Sequence, residues 1–172
     1  MACLNRITTS PMTVNEYNSC VNQYADGVFR FILKNIKDED KAKDIVQDAF
    51  EKLWVKLSEI ESATVKSYLF TTAYNTMIDG IRRDKFTGDF ENVKDADYVT
   101  HNSYSDVKEV LNEALSKLNE IQRSVILLRD YEGYNYDEIG KITGLSESQV
   151  KVYIYRARVF LKEYIGNLYQ VI

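Results

Sequence analysis

The chain has 172 residues, with 22 Lys and Arg against 26 Asp and Glu, so its net charge is −4. A hydrophobic content of 45% and a charged content of 28% are typical of a folded globular protein, and the length allows one domain or two small ones. The acidic balance counts weakly against a nucleic-acid-binding protein, although net charge does not say where the charges lie.

Several classes of protein are excluded by what the sequence lacks. No apolar run approaches the length of about 18 residues that spans a membrane, and the N-terminus does not read as a secretory signal. The only histidine is His101, and Cys3 and Cys20 are too far apart for a metal-ligand pair. We therefore expect a cytoplasmic protein that is not an enzyme and holds no metal or cofactor, with both cysteines as free thiols.

Apolar residues recur at helical spacing through residues 14–36, 38–57 and 65–83. This period of about 3.6 residues predicts an amphipathic helix in each segment. The clearest apolar stripe comprises Ala42, Ile45, Val46, Ala49, Phe50, Leu53, Trp54 and Leu57. We expect the three helices to bury one core.

Residues 86–108 have a different composition. They contain no Leu or Ile, and their five acidic and two basic residues give a net charge of −3. A segment of this kind buries little apolar surface, so we predict a linker between two helical parts.

The second part begins near Glu109. Residues 110–118 carry one apolar face, and the next helix opens at Asn119, which resembles the first residue of a capping box completed by Gln122. This helix ends near Gly133, where we expect the chain to turn before two further helices.

Those two helices are separated by a short turn. Residues 136–143 form the first, and Gly144 suits the left-handed conformation that ends a helix. Ser146 and Gln149 resemble a second capping box, which opens the longer final helix. A short helix, a three-residue turn containing glycine and a longer capped helix together predict a helix-turn-helix.

In a helix-turn-helix the second helix lies in the major groove of DNA. Here its outward residues are Glu147, Ser148, Gln149, Lys151, Val152, Tyr153, Tyr155 and Arg156. Residues 149–162 contain four basic and no acidic side chains, a local charge of +4. Gln and Lys can bond base edges, whereas Arg156, Arg158 and Lys162 suit phosphates. The competing interpretation is an ordinary solvated helix face.

Residues 66–85 are also locally basic, with a net charge of +2. Aromatic side chains stand between the charged ones, as Tyr68, Phe70 and Tyr74 do, and aromatic faces beside cations can stack unpaired bases. The competing interpretation is a core helix with a basic C-terminal end.

The helix predicted over residues 38–57 has a polar side opposite its apolar stripe. Asp44, Gln47, Asp48 and Glu51 follow an i, i+3, i+4, i+7 spacing and therefore share one face. This face is either solvated or a surface that binds a partner.

With these motifs the chain resembles the extracytoplasmic-function (ECF, group 4) sigma factors of bacterial RNA polymerase, in the sigma-70 family. The resemblance spans about residues 16–83 and 111–164. AKDIVQDAFEKLW (42–54) is similar to the family's polymerase-docking helix, and YLFTTAYNTMIDGIRR (68–83) to its helix that melts and reads the −10 promoter element. Residues 118–158 are similar to its −35-reading domain.

The resemblance implies an all-α fold of two small helical domains joined by an acidic, flexible linker. Residues 1–12 would be a tail, and 13–85 a sigma2-like bundle of three to four helices. Residues 86–108 would be the linker, and 109–172 a four-helix sigma4-like domain with the helix-turn-helix.

The resemblance also implies partners. The protein would bind core RNA polymerase, through the β′ clamp helices and the β flap, and direct it to promoter DNA. Many members of the family are held inactive by an anti-sigma factor, so we expect such a partner, which no residue of this chain identifies.

The implied roles are assigned to residues that match the family's motifs, which are Asp44, Gln47, Asn75, Asp79, Arg82 and Arg83, and to further residues that share the faces and patterns described above. Polymerase binding falls on Asp44, Gln47, Asp48 and Glu51. Contact with the −10 element falls on Lys66, Tyr68, Tyr74, Asn75, Asp79, Arg82 and Arg83, with residues 58–66 as a loop that holds a flipped base. Contact with the −35 element falls on Ser148, Gln149, Lys151, Val152, Tyr153, Tyr155 and Arg156.

Some residues depart from the family's pattern. Tyr68 stands where Trp is usual, Thr72 where Ile is usual, Asn119 in place of a common Pro and Gln149 in place of a common Thr. Gly80 lies inside a predicted helix, at a cost of about 1 kcal/mol relative to Ala.

Two other functions are compatible with the same patterns. A stand-alone helix-turn-helix regulator would bind duplex DNA as a dimer, without polymerase, and would be indifferent to Asp44. An interaction module with a degenerate DNA site is a third possibility, against which the local charge of +4 counts.

Overall fold

The computed structural model describes residues 12–86 and 105–169, and within these ranges it contains seven α-helices and no strand. The helices are α1 (Val14–Ile36), α2 (Glu39–Val55), α3 (Val65–Phe86), α4 (Ser105–Lys117), α5 (Glu120–Ile126), α6 (Tyr136–Thr143) and α7 (Glu147–Tyr169). A 3-10 turn (Ser62–Thr64) precedes α3, and a π-helical turn (Leu127–Tyr131) follows α5. The predicted all-α class is confirmed.

The predicted tail and linker fall mostly outside the described residues, as do Cys3 and His101. At the end of the predicted linker the structure differs from the prediction, because α4 begins at Ser105 rather than after residue 108. The residues that open α4 include no Leu or Ile, so the apolar periodicity does not predict a helix at this point. Cys20 is buried as a free thiol.

The helix starts are set by side-chain caps. At Asn119 half of the predicted box is present: its Oδ1 accepts a hydrogen bond from the Gln122 amide at 2.8 Å, but the Gln122 side chain makes no return bond to the Asn119 amide within the described part of the chain. The predicted box at Ser146 is confirmed, with the Ser146 amide donating to Gln149 Oε1 at 2.9 Å. Thr13, which pairs with Glu16, caps α1 in a box that the sequence analysis had not identified.

Helices α1, α2 and α3 bury a common core, as predicted. Its largest fully buried side chains include Ile32, Leu53, Leu69 and Met77. Trp54 differs from the prediction, because its side chain is 47% exposed instead of joining the buried stripe. It lies in the last turn of α2 and packs edge-on against Tyr17 at 4.9 Å between ring centroids.

Helices α4 to α7 bury apolar faces that continue the same core. Leu128, Ile139, Ile142 and Ile154 are buried there, and α7 packs against α4, α5 and α6. Each helix is too short or too amphipathic to be stable alone, so this half depends on the mutual burial of these faces.

The two halves also pack on each other, α1 against α4 and α5, and α3 against α6. Asn35 on α1 and Ser124 on α5 are both buried, and the Ser124 hydroxyl donates to Asn35 Oδ1 at 2.8 Å. We call this packing of the first half on the second the closed arrangement.

The exposed interior of α3 offers a test of helix propensity. A Cβ added to Gly80 would meet no atom within 4 Å, so Gly80→Ala should stabilise the protein by about 1 kcal/mol through helix propensity alone. At this chain length the melting temperature should rise by about 2–4 °C. Thermal unfolding followed by circular dichroism measures this shift, and an unchanged or lower melting temperature would contradict it.

Candidate nucleic-acid and polymerase interfaces

The helix-turn-helix consists of α6, a turn at Gly144 and the start of α7. Gly144 has φ 74°, in the left-handed region that favours glycine, and its amide donates to the Gly140 carbonyl at 2.8 Å. Gly140 allows the backbone of the turn at Leu145 to lie close to α6, since a Cβ on residue 140 would lie 2.7 Å from the Leu145 carbonyl oxygen. The predicted helix-turn-helix is confirmed, with α7 as the candidate recognition helix.

Because of this close approach, we expect Gly140→Ala to change stability in the opposite direction to Gly80→Ala. Gly140→Ala forces a Cβ against backbone, so the turn must shift, and we expect destabilisation of about 1–3 kcal/mol together with weaker DNA binding. Chemical unfolding and a DNA-binding titration measure the two effects. Gly80→Ala is the matched control because it adds the same methyl group to a helix with open space around it. A Gly140→Ala protein as stable as wild type would contradict the expectation.

Most predicted residues of the recognition helix lie on one open face. Ser148, Gln149, Lys151, Val152, Tyr155 and Arg156 are exposed, whereas Tyr153 is half-buried. Gln149 has a further role, since its Oε1 accepts hydrogen bonds from the Ser146 amide and hydroxyl. With the carbonyl of Gln149 occupied by the cap, its amide NH₂ is the group that remains to donate to a base.

Two of the predicted cations on α7 are paired. Lys151 Nζ lies 2.7 Å from Glu147 Oε1 and 5.6 Å from the centre of the Tyr136 ring. The hydrogen bond that Lys151 donates to the Glu147 carboxylate raises the pKa of Lys151, so this cation stays charged. Arg158, suggested as a phosphate contact, instead donates to Asp130 at 2.6 Å. That pair ties α7 to the π-helical turn.

The predicted −10 residues on α3 fall into two groups. Asn75, Asp79, Arg82 and Arg83 are exposed along one side. Arg82 Nη1 lies 3.8 Å from Asp79 Oδ1, and Arg83 Nε donates to the Asp79 carbonyl at 3.3 Å.

The other group is buried or half-buried, and one member, Lys66, contacts the second half of the chain. Tyr74 is only 6% exposed, and Lys66 donates to the Glu132 carbonyl at 3.1 Å with its charge 4.7 Å from the Tyr134 ring centre. Tyr68 is half-buried. In the closed arrangement, therefore, Tyr74 is not available to stack on a base. Phe70 is a core residue that packs on Tyr134.

The polar face of α2 is open. Asp44, Gln47, Asp48 and Glu51 are all exposed, as their spacing predicted. Trp54 lies at i+3 from Glu51 and extends this face. A large exposed aromatic ring therefore lies beside the acidic side chains. The apolar stripe and the polar face border each other at this position, so spacing alone predicts Trp54 in the core.

Neither a metal centre nor a membrane span is found in the described ranges. No group of three or more His, Cys, Asp or Glu residues lies close enough to hold a metal ion among the described residues. None of the described helices is sufficiently long and apolar to cross a bilayer.

The two halves match two family models. The model of sigma-70 region 2 matches residues 20–87, which include α2 and α3, and the model of sigma-70 region 4 matches residues 108–161, which include the helix-turn-helix. The order and the separation of the matches agree with the two parts read from the sequence.

Known proteins resemble the chain along nearly its whole length. RNA polymerase sigma factor YlaC of Bacillus subtilis is 29% identical over 152 residues, which cover 82% of this chain and 87% of YlaC. RpoE of Bartonella quintana, solved in complex with the anti-sigma factor NepR, is 25% identical with a TM-score of 0.72, covering 89% of this chain and 98% of that one. CnrH, solved with the cytosolic domain of CnrY, shares the fold at a TM-score of 0.65 and 22% identity, covering 88% of each chain.

ECF RNA polymerase sigma factor SigM of Bacillus subtilis is 30% identical over 156 residues, which cover 88% of this chain and 94% of SigM. The two family models together span α2, α3 and the helix-turn-helix, the elements whose geometry is described above. The chain therefore belongs to the ECF sigma factors of the sigma-70 family.

Proposed function

We propose that this protein is a cytoplasmic, non-enzymatic initiation factor that binds core RNA polymerase and directs it to a limited set of promoters. One observation carries the proposal: an open acidic face on α2 and an exposed recognition helix occur in one chain, in regions that match sigma-70 regions 2 and 4. A protein built this way has one surface for the polymerase and others for DNA.

The polymerase surface in this proposal is the acidic face of α2. Asp44, Asp48 and Glu51 are exposed and make no ion pair within the described residues, so their charges are free to meet a basic partner. Unpaired charges steer association and are screened by salt. We assign this face to the β′ clamp helices, with Trp54 as an added apolar contact, and the second domain to the β flap.

The −10 surface is α3 with the segment before it. Asn75, Arg82 and Arg83 are exposed and provide donors for unpaired bases and backbone phosphates. Flipping a base out of the stack costs a few kcal/mol, which stacking and pocket contacts must offset. Lys66, Tyr68 and Tyr74 join this surface when the second half of the chain moves away.

The −35 surface is the exposed face of α7. Lys151 and the amide NH₂ of Gln149 reach base edges, Val152 meets a thymine methyl, and Arg156 contacts a phosphate. Ser148, Tyr153 and Tyr155 complete the contact, with Tyr153 on its half-buried edge.

We also propose an anti-sigma factor as a partner. The Bartonella quintana RpoE, which is similar to this chain over 98% of its own length, was solved with the anti-sigma factor NepR. A partner that covers α3 or α7 would keep the protein from promoter DNA.

The test is run-off transcription with core RNA polymerase, with and without this protein, on templates carrying the regions upstream of its own gene and of neighbouring genes. We expect a product that depends on the protein, and a complex of the protein with core polymerase on a native gel. Tight operator binding without polymerase would favour the dimeric regulator instead. If the assays gave no protein-dependent product and no complex with core polymerase, the proposal would be overturned.

A further inference from the structure

A cavity of about 270 Å³ lies between the C-terminal part of α1, the start of α4 and the π-helical turn. Pockets that bind drug-sized ligands measure roughly 300–1,000 Å³, so this cavity suits a small ligand with one ring system and one charged group. Its lining combines three basic side chains with two core residues, one tyrosine and one glutamate. None of the residues assigned above to the polymerase or to promoter DNA lines it.

The charged side of the cavity is built from three cations on two helices. Arg30 and Lys34 are one turn apart on α1, and Lys108 reaches the same cavity from α4. Lys34 is half-buried, and its Nζ donates to a neutral acceptor, Asn112 Oδ1, at 2.7 Å. Burial, followed by the positive charges of Lys108 and Arg30, lowers the pKa of Lys34.

Two of these three cations have no acidic partner. No described carboxylate forms an ion pair with Lys34 or Lys108. A partly buried charge without a counter-charge costs free energy, and like charges around one cavity add to that cost. An anion bound between them would lower both costs, so the free energy of the folded chain favours occupancy by an anion.

Two carboxylates near the cavity already have partners. Glu132 lines the cavity, but its Oε2 lies 3.7 Å from Lys66 Nζ and would lie 3.6 Å from a Cβ built on Gly27. Asp26 pairs with Arg30 at 2.6 Å, and since both side chains are exposed, this ion pair is weak enough for Arg30 to exchange it for a ligand. Three cations and one carboxylate give the lining a net charge of +2.

The rest of the lining is apolar or aromatic. Phe31 and Leu127 are buried core residues that form the floor of the cavity, and Tyr131 stands beside it with an exposed ring. Lys34 Nζ lies 5.0 Å from the centre of that ring, so the cationic and aromatic parts of the lining adjoin each other. A ligand that satisfies both parts has an anionic group joined to a planar, largely apolar body.

We propose that this cavity binds a small phosphate monoester that carries a planar ring, which is the chemistry of a nucleoside 5′-monophosphate. A phosphate monoester has a charge of about −1.5 to −2 at pH 7, which matches the net charge of the lining better than the single charge of a carboxylate does. The Arg30 guanidinium offers paired donors to two phosphate oxygens, and Lys34 and Lys108 add ammonium groups. The planar ring stacks against Tyr131.

Calorimetric titration of the full chain with adenosine 5′-monophosphate (AMP) tests the proposal, and it needs neither polymerase nor promoter DNA. We expect saturable binding of AMP at a single site. Adenosine lacks the phosphate and inorganic phosphate lacks the ring, so each should bind roughly tenfold more weakly or worse. No saturable binding of AMP at millimolar concentration, or equal affinity for AMP and either fragment, would overturn the proposal.

Variants locate the bound AMP. Lys108→Gln changes an exposed residue and should lower the affinity for AMP roughly fivefold or more. Lys117→Gln is the matched control, because it removes the same charge from the other end of α4, outside the lining, and should have no effect. Lys34→Gln should weaken AMP binding at least as much as Lys108→Gln.

The ring contact has a test of its own. Tyr131→Ala should reduce the preference for AMP over inorganic phosphate roughly fivefold, because it removes the stacking surface and keeps the cations. Circular dichroism confirms that each variant is folded. Undiminished AMP binding by both Lys34→Gln and Lys108→Gln, or an equal loss of binding in Lys117→Gln, would remove the site from this cavity and overturn the proposal.

A phosphate monoester occurs both in a free nucleotide and at the 5′ end of a nucleic-acid chain, and competition with AMP distinguishes these sources. A 5′-phosphorylated trinucleotide that binds more tightly than AMP, with the same loss in Lys108→Gln, identifies a nucleic-acid end. Weaker binding identifies a free nucleotide, and both results support the proposed chemistry. A trinucleotide with a 5′-hydroxyl that displaces AMP equally well would contradict it, because recognition would then not depend on the monoester.

Discussion

Replacement of Asp44 by alanine should remove most promoter-directed transcription while leaving the fold intact. The Asp44 side chain is exposed on α2 and makes no hydrogen bond or ion pair with the described residues. Its loss therefore leaves no buried group without a partner. At an interface, removal of one partner of a buried charge pair costs about 2–5 kcal/mol, which is more than tenfold in affinity. Gln47→Ala removes a neutral hydrogen bond and should cost less, about 0.5–1.5 kcal/mol.

The measurement is a titration of fluorescent protein with core polymerase, followed by run-off transcription at matched occupancy. Asp26→Ala is the control, since Asp26 is an exposed carboxylate of the same half whose ion pair with Arg30 is worth little. The Asp44→Ala protein should also show a weaker dependence of polymerase affinity on salt. Equal affinity and equal transcription for the Asp44→Ala protein and wild type would remove α2 from the polymerase interface.

Helix positions followed from the sequence because their ends carry strong local signals. The helices predicted over residues 14–36 and 136–143 have these same bounds in the structure. The second ends at Gly144, whose cap acts through bonds within four residues of the chain, whereas the first, whose Thr13 box is not read from the sequence, is placed by its apolar periodicity. Periodicity supplied the rest, since a 3.6-residue stripe states which side chains share a face.

Periodicity does not state which element covers a face. The type and spacing of Tyr74 and Lys66 predict base contact, but Tyr74 is buried and Lys66 is bound to Glu132 of the second half. No local pattern predicts the hydrogen bond between Asn35 and Ser124, because these residues are 89 positions apart in the chain. Trp54 shows the same limit in reverse, because its position in the apolar stripe still leaves 47% of the side chain exposed at the end of α2.

The second large effect concerns DNA binding by the recognition helix. Removal of Lys151 and removal of Arg156 should change that binding in different ways. Lys151→Ala should relax sequence preference at one base pair by about 1–3 kcal/mol, the value of a well-made base contact. Its present ion pair with Glu147 is exposed and worth about 0.2–1 kcal/mol, which is too little to prevent Lys151 from turning to a base.

Arg156→Ala should instead weaken binding to every sequence alike. Arg156 is exposed, and a phosphate contact carries no base information. Its loss should lower the slope of log affinity against log salt by about one. Gln149→Ala is a poor substitute for either variant, because it also removes the cap at Ser146 and so changes helix stability.

The experiment is selection of −35 sequences from a randomised duplex pool by polymerase carrying each variant, followed by affinity measurements at several salt concentrations. Lys117→Ala serves as a control for lost charge, since Lys117 is exposed on α4 and lies outside the helix-turn-helix. A broadened sequence profile for Lys151→Ala, with the wild-type profile at lower affinity for Arg156→Ala, is the expected pair of results. If both variants selected the wild-type sequences with wild-type affinity, the exposed face of α7 would not be the −35 surface.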